Sequence, residues 1–267
     1  MPAIVDPVRK RQEAFYDHAE TNRFEWLTEH PLIRRAERAL LSHLHGIGGA
    51  PSILEVGCGE GANFATLQST GMRFSYTGFD CFPVKVAFCR QRHRGGRFVI
   101  ADARQSFPFR DASYDRVLIR DLLHHLAASD RAHVLHESMR VLAPGGRLWI
   151  IEGNATNLLG RGFALLFPHE RCMLETRAPR LQRFVMETLS GHEFTEAMEE
   201  PSNLFRLLCH YRFGFPALGR TSFIGWIARV WDRLARACRP SRRWAYSIIG
   251  VRKSCESAAD VARNASP

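Results

Sequence analysis

The feature that most constrains the fold is an ordered alternation of short apolar runs and helical segments between residues 52 and 152. The runs at residues 52–56, 74–79, 97–101, 114–119 and 147–152 have the length and composition of buried strands. Residues 61–69, 83–92 and 129–142 between them read as helices, the last with Ser129 as the expected N-cap, and residues 143–146 read as a turn. The pattern predicts an α/β fold: a doubly wound, mostly parallel sheet with helices on both faces.

The loop after the first predicted strand, Glu55-Val-Gly-Cys-Gly-Glu-Gly61, is the strongest functional signal. Its glycines let the chain turn sharply and let the backbone approach a ligand closely. The next helix begins here, so its free amide groups face the crevice at the carboxyl edge of the sheet. The loop is typical of nucleotide-type sites, although a NAD-binding protein could carry a similar one, and a tight structural turn is the alternative. The candidate binding residues are Glu55, Gly57, Gly59 and Gly61.

Two acidic residues end the next two predicted strands and reach the same edge of the sheet. Asp80 follows the last glycine of the loop by 19 residues, where a carboxylate can accept both ribose hydroxyls of a nucleoside. Asp102 follows the third strand and could bond an adenine amino group, with the Ala103 amide nearby. The alternatives are a helix N-cap for Asp80 and a loop cap for Asp102.

These residues, taken with two later motifs, resemble a known family. The motifs are Phe107-Pro-Phe-Arg-Asp-Ala-Ser-Tyr-Asp115 and Ala143-Pro-Gly-Gly146. In this order and spacing, residues 50–153 are similar to class I S-adenosylmethionine-dependent methyltransferases with a type 11-like domain. A dehydrogenase would need neither of the two later motifs.

The resemblance implies S-adenosyl-L-methionine as cofactor and gives roles by position. It implies that the Glu55–Gly61 loop holds the methionine part, that Asp80 holds the ribose, and that Asp102 and Ala103 hold the adenine. Arg120 and Asp121 would face the methionine or substrate side. Family members commonly have small residues near Cys58 and Glu60, but these positions vary.

His124 and His125 follow the fourth predicted strand and are the candidate catalytic residues. A methyl donor of this type is already activated, so the protein mainly has to align the acceptor with the methyl group. A base helps when the acceptor is a hydroxyl or a protonated amine, and histidine accepts protons near neutral pH. The alternative is a structural histidine that bonds the backbone at the edge of the site.

The expected organisation has four parts. Residues 1–50 form an N-terminal helical segment with helices at 8–20 and 31–44, and residues 51–153 form the cofactor-binding core. Residues 154–256 form a variable substrate or lid segment with helices at 158–167, 177–189 and 223–238 and a final strand at 246–251. Residues 257–267 form a flexible tail. The sequence does not place the sixth strand.

The net charge of +10 is concentrated near the C-terminus, because residues 206–253 hold eleven Arg or Lys and one acid. Such a face suits an anionic partner, or is simply a solvated surface. The predicted helix at 223–238 has an apolar stripe bordered by arginines. We expect this helix to cover the core or the substrate pocket, with peripheral membrane contact through residues 223–243 as the alternative and nucleic acid contact the least favoured.

The seven cysteines form no CxxC pair, so we expect no metal site. We also expect the cysteines to be reduced thiols. The N-terminal stretch has no apolar run, and no 18-residue apolar stretch occurs. We therefore expect a cytoplasmic protein without a signal peptide or membrane span.

The leading hypothesis is a methyltransferase that acts on a small-molecule or lipid-like acceptor, with transfer to oxygen favoured. Residues after Asn154 would define a mostly apolar pocket. One alternative is an RNA methyltransferase that uses the basic C-terminal segment, although that segment shows no recognisable RNA-binding module. A non-catalytic methyltransferase-like scaffold is the other alternative.

Overall fold

The computed structural model describes residues 18–44, 49–153, 161–162, 165, 178–200, 208–211, 214–237 and 246–255. Its helices are α1 (Thr21–Glu29), α2 (Pro31–Leu41), α3 (Ala62–Gln68), α4 (Pro83–Arg92), α5 (Ala128–Val141), α6 (Ala178–Thr188) and α7 (Ser222–Ala237). Its strands are β1 (Ser52–Val56), β2 (Ser75–Asp80), β3 (Arg97–Ile100), β4 (Tyr114–Arg120), β5 (Leu142–Gly153), β6 (Glu193–Glu200) and β7 (Tyr246–Arg252). Short 3₁₀ turns occur at Ser42–Leu44, Leu123–His125 and Leu218–Arg220.

The strands form one seven-stranded sheet in the order β3-β2-β1-β4-β5-β7-β6. Strands β1 to β5 pair in parallel, and β7 runs antiparallel between β5 and β6. The prediction of a doubly wound, mostly parallel sheet is confirmed. The order reverses at β1, since β2 and β4 flank it, and this switch point is where α/β sheets hold ligands at their carboxyl edge.

Two apolar cores cover the two faces of the sheet, because alternate strand residues point to opposite sides. Leu54 and Val56 of β1 belong to the core that α5 and α6 cover, whereas Ile53 belongs to the core that α2, α3 and α4 cover. The helices contribute leucine, valine and aromatic side chains to these cores: Val134, Leu135, Leu181 and Val185 on one face, and Leu40, Leu41, Phe64 and Val86 on the other.

Several boundaries differ from the prediction for local reasons. Ser129 is not the N-cap of α5: the N-cap is Ala127, which makes no side-chain capping bond, and Ser129 lies inside the first turn. The Pro-Gly-Gly turn lies within β5, where the pairing with β4 changes register between Tyr114 and Arg116, and Gly145 has a φ of 73°. The predicted turn is therefore an irregularity in the pairing of β4 with β5 rather than a break between elements.

The flanking segments are only partly as expected. The helix predicted at 8–20 lies outside the described residues except for 18–20, which are not helical, while α1 follows directly and was not predicted. The predicted helix at 158–167 lies mostly outside the described residues, and so does the predicted tail. Strand β6 supplies the missing sixth strand. No described helix has both the length and the apolar character needed to cross a membrane.

Candidate functional site

The glycine loop between β1 and α3 has a left-handed backbone at every second residue. Gly57, Gly59 and Gly61 have φ values of 73°, 51° and 74°, which favour glycine. A Cβ at Gly57 would lie 3.1 Å from Leu122, and one at Gly61 would lie 2.7 Å from the His93 ring, whereas one at Gly59 would meet no atom within 4 Å. The outer two glycines are therefore fixed by packing, and Gly59 borders open space.

Asp80, at the end of β2, lies against this loop. Its carboxylate accepts hydrogen bonds from the amides of Gly59 at 2.9 Å and Phe82 at 3.0 Å. Burial raises the pKa of Asp80, although these two bonds and Lys85 oppose the shift. The predicted convergence of Asp80 with the glycine loop is therefore present. Asp80 is not the N-cap of α4, since that residue is Phe82.

Asp102, at the next strand end, is held by its own loop. Its oxygens accept bonds from the Arg104 side chain, with Nε at 2.8 and 2.9 Å, and from the Arg104 amide at 2.9 Å. The side chain is about a third exposed and the adjacent Ala103 is buried. Asp102 thus acts as a loop cap here. A carboxylate has further acceptor sites, so contact with an adenine stays a prediction.

Glu55 lies behind the glycine loop in a buried polar network. It accepts bonds from Asn63 Nδ2 at 2.6 Å and from the Tyr76 hydroxyl, and Arg120 Nη1 donates to Asn63 Oδ1 at 2.6 Å. Burial raises the pKa of Glu55 to about 7, against the opposing effect of the hydrogen bonds from Tyr76 and Asn63 and the charge of Arg120. The structure therefore shows Glu55 supporting the loop from behind, and direct contact with a cofactor stays a prediction.

Arg120 is buried in an ion pair that the sequence analysis missed. Its Nη1 lies 2.5 Å from Glu37 Oε2 of α2, and its guanidinium also faces Asp121 at 3.6 Å and the Tyr246 ring at 5.3 Å. Glu37 is 1% exposed. The sequence does indicate a special role for Glu37, because it lies four residues after Ile33 on the apolar face of α2. A charged residue on that face requires a buried partner.

The candidate base His124 is held by a second acid that was missed, Glu152 near the end of β5. His124 Nδ1 lies 2.5 Å from Glu152 Oε2, and both residues are buried. Glu152 Oε1 accepts bonds from the amides of Leu122 and Leu123 at 2.9 and 2.7 Å. A carboxylate at Nδ1 favours the tautomer in which Nε2 of the neutral ring is an acceptor. The His125 ring lies beside it, with ring centroids 3.9 Å apart and ring planes inclined by 48°.

Glu60, inside the loop, fixes α1 against the site. Its carboxylate accepts from the Glu20 amide at 3.2 Å and lies 3.5 Å from both Arg23 and Lys85. Burial opposes its ionisation, but the two cations and the backbone bonds outweigh burial and lower its pKa. Glu60 therefore ties an N-terminal helix to the glycine loop.

A family model described as "Methyltransferase domain" matches residues 54–150. The chain is 42% identical over 96 residues to a fatty-acid O-methyltransferase of Mycolicibacterium smegmatis, covering 35% of this chain and 34% of that protein. It is 30% identical over 159 residues to a demethylmenaquinone methyltransferase of Tropheryma whipplei, covering 58% of this chain and 62% of that protein. The matches span less than two thirds of these relatives.

Solved structures share the fold. Haemonchus contortus phosphoethanolamine N-methyltransferase 2, solved in complex with S-adenosyl-L-methionine, has a TM-score of 0.62 at 16% identity. The likeness covers 95% of this chain and 61% of that one. At this identity it establishes the shared architecture alone.

Proposed function

We propose that this chain is an S-adenosylmethionine-dependent methyltransferase of class I, because residues 54–150 match a family model described as a methyltransferase domain. The observation that carries the proposal is the 2.9 Å bond between the Gly59 amide and the Asp80 carboxylate, beside the open space at Gly59. A glycine whose Cβ position faces open space and a carboxylate at the adjacent strand end fit a nucleoside-bearing ligand at the switch point of the sheet.

The residues that would hold the cofactor divide into two groups. The Gly57–Gly61 backbone would hold the amino-acid part, and Asp80, with Asp102 and Ala103, would hold the adenosine. Glu55 and Glu60 would act indirectly, by keeping the loop in place. When bound, S-adenosylmethionine supplies a methyl group on a sulfonium that is already activated for transfer.

Proton removal from the methyl acceptor would be carried out by residues at the carboxyl ends of β4 and β5. His124 would accept the proton from the acceptor hydroxyl at Nε2, since its Nδ1 carries the ring hydrogen and donates it in a hydrogen bond to Glu152. The carboxylate also stabilises the imidazolium that this proton transfer creates. Glu152 is a positioning residue, because it acts through the ring.

We propose a small-molecule or lipid-like acceptor, methylated on oxygen. Support for the acceptor class comes from the relatives, whose names give a fatty acid and demethylmenaquinone as substrates. Support for oxygen comes from the fatty-acid O-methyltransferase and from the His124–Glu152 pair, since a hydroxyl acceptor benefits from a base.

Calorimetric titration with S-adenosylmethionine tests the cofactor site. We expect Asp80→Ala to weaken binding by about 10- to 100-fold, the effect of losing a hydrogen bond to a charged group. Asp111→Ala is the matched control, because Asp111 is 75% exposed in the loop before β4, at the opposite edge of the sheet. No binding by the unaltered chain, or equal binding by Asp80→Ala, would contradict the proposed site.

The acceptor is tested by incubating the chain with methyl-labelled S-adenosylmethionine and fractionated cell extract. We expect label in the organic-solvent fraction, and mass spectrometry of the product to place the methyl group on oxygen. Label confined to RNA would contradict the acceptor class. Cofactor binding without label in any fraction would contradict the enzymatic activity.

A further inference from the structure

Helix α7 exposes several of its large apolar side chains. Gly225 and Ala228 are buried on its inner side. Phe223, Trp226 and Leu234 on the outer side are 67%, 55% and 56% exposed. Phe223 and Leu234 of the predicted stripe therefore do not cover the core, whereas Ile227 and Val230 of the same stripe are half-buried. A role of this helix in covering a substrate pocket stays a prediction.

The exposed stripe continues into the segment that precedes α7. Phe215 and Leu218 are also exposed, and so is Trp231 on the helix. Residues 215–234 hold six of the eleven exposed large apolar side chains among the described residues. Scattered exposed apolar residues are ordinary, but a concentration of this kind marks an interaction surface. We call these six residues the aromatic surface: Phe215, Leu218, Phe223, Trp226, Trp231 and Leu234.

Arginines accompany the aromatic surface. Arg220, Arg229 and Arg233 are exposed in the same segment. In sequence the surrounding residues 206–253 carry eleven basic residues and one acid. Tryptophan and phenylalanine beside arginine on one exposed helix match the boundary between anionic lipid headgroups and acyl chains, where the rings enter the boundary and the arginines meet phosphates.

We infer that the aromatic surface and its arginines dock the protein on an anionic lipid bilayer, with α7 lying in the plane of the interface. A second copy of the chain is a poorer occupant. In a twofold contact the basic residues of both copies would outnumber Asp232, the single acid of residues 206–253, and like charges across an interface oppose association.

The chain around the aromatic surface is linked to the candidate site through the N-terminal helices α1 and α2. His30, between α1 and α2, bonds the Pro216 carbonyl at 2.9 Å, and Trp26 of α1 donates to the Cys209 carbonyl at 2.7 Å. Helix α1 is in turn held to the glycine loop by Glu60. Docking would thus involve a segment that contacts the same N-terminal helices as the glycine loop does. The docking inference rests on exposure and charge, and it holds or fails independently of methyl transfer.

Vesicle co-sedimentation tests the inference with the full chain. We expect binding to vesicles of phosphatidylserine and phosphatidylcholine and at least 10-fold weaker binding to phosphatidylcholine alone. The double variant Trp226→Ala/Trp231→Ala should bind at least 10-fold more weakly, because both rings leave the interface. Arg229→Gln and Arg233→Gln should each weaken binding by about fivefold and reduce its salt dependence.

The matched controls lie on α6, where Met186 and Arg183 are also exposed. Met186→Ala and Arg183→Gln should bind vesicles like the unaltered chain, and circular dichroism checks that every variant is folded. No binding to anionic vesicles, or equal binding by the folded double-tryptophan variant, overturns the inference. A concentration-dependent dimer in sedimentation velocity that this variant abolishes also overturns it, in favour of a second copy. Cofactor titration of the same variants should be unchanged, which separates this test from that of the proposed function.

Discussion

The buried acids of the site differ in what compensates their charge. Asp80 receives backbone amides, Glu60 receives two cations, and Glu152 receives two amides and a histidine. Glu55 receives only neutral donors at hydrogen-bond distance, from Asn63 and Tyr76. A buried carboxylate without a paired cation favours its protonated form, so ionisation of Glu55 opposes folding, as it does for Asp80, whose pKa is also raised by burial.

Replacing Glu55 should change how stability depends on pH. Its pKa is about 7 in the folded chain against 4.5 when unperturbed, so between these values the folded state holds a proton that the unfolded state has lost. The free energy of unfolding should therefore fall as pH rises through this window, by on the order of 3 kcal/mol. Urea unfolding at pH 5 and 7.5 should show this fall for the unaltered chain and a much smaller one for Glu55→Gln.

Glu187→Gln is the matched control, because Glu187 is an exposed acid on α6. It should keep the pH dependence of the unaltered chain. An equal fall in Glu55→Gln would show that Glu55 does not take up the proton.

The two adjacent histidines should contribute unequally to methyl transfer. His124 contacts the Glu152 carboxylate at Nδ1, so we expect His124→Asn to lower kcat by about 10²- to 10⁴-fold and His125→Asn to lower it less. Glu152→Gln should also lower kcat and alter its pH profile, because an amide donor at Nδ1 forces the hydrogen onto Nε2. Steady-state kinetics of the three variants check this, with His136→Asn, an exposed residue of α5, as control. Equal losses from both histidines would contradict it.

At the residue scale, the sequence identifies positions whose role depends on nearby backbone. Asp80 and the loop glycines could be predicted because the ends of the strands and the spacing of the loop determine where these residues lie. Glu37 and Glu152 were missed because their partners, Arg120 and His124, are 83 and 28 residues away along the chain. Their signal is a charged residue within a run of buried apolar ones, which indicates a partner without naming it.

At the scale of elements, α1 depends on its contacts more than on its own sequence. Only Phe24 and Leu27 are buried, which gives too short an apolar pattern to predict a helix. Its start is held by the Glu60 carboxylate, through the Glu20 amide and Arg23. Strand β6 is a similar case, since Glu193–Glu200 contains four acids and is defined by pairing with β7.

Removing the charge of Glu60 should release α1. In Glu60→Gln we expect amide hydrogen exchange in residues 21–29 to accelerate by at least about 10-fold while β1 stays protected, because Arg23 and Lys85 lose their common partner. The pKa of Glu60 is lowered, so in the unaltered chain this anchoring is complete above pH 4.5 and is lost as pH falls through the lower, folded-state pKa. Glu29→Gln, at the exposed other end of α1, is the control and should exchange normally. Unchanged exchange in Glu60→Gln would show that other contacts hold the helix.

At the scale of the whole molecule, β7 joins the two apolar cores. Ile249 and Val251 belong to the core that α5 and α6 cover, and Ile248 belongs to the core on the opposite face. All three are at most 1% exposed. The parallel half of the sheet follows from the alternation of strands and helices, but the position of β7 does not. Nothing in residues 246–252 specifies that this strand enters antiparallel between β5 and β6.

The two apolar cores should therefore unfold together when a substitution in β7 weakens the packing of either one. We expect Ile248→Ala and Ile249→Ala each to lower the free energy of unfolding by about 2–5 kcal/mol. Each variant should unfold in a single transition when near- and far-ultraviolet circular dichroism are followed in urea. Separate transitions for the two signals would show that the cores are independent. Met186→Ala, exposed on α6, should cost less than about 0.5 kcal/mol.

The position of β7 has a consequence for biosynthesis. In the described sheet β6 bonds only to β7, yet β6 leaves the ribosome more than forty residues earlier. Throughout that interval the nascent chain carries an unpaired acidic strand and an open flank on β5. The sequence of β6 contains four glutamates, so we expect like charges to oppose pairing with a second copy of this strand while the polypeptide is being made.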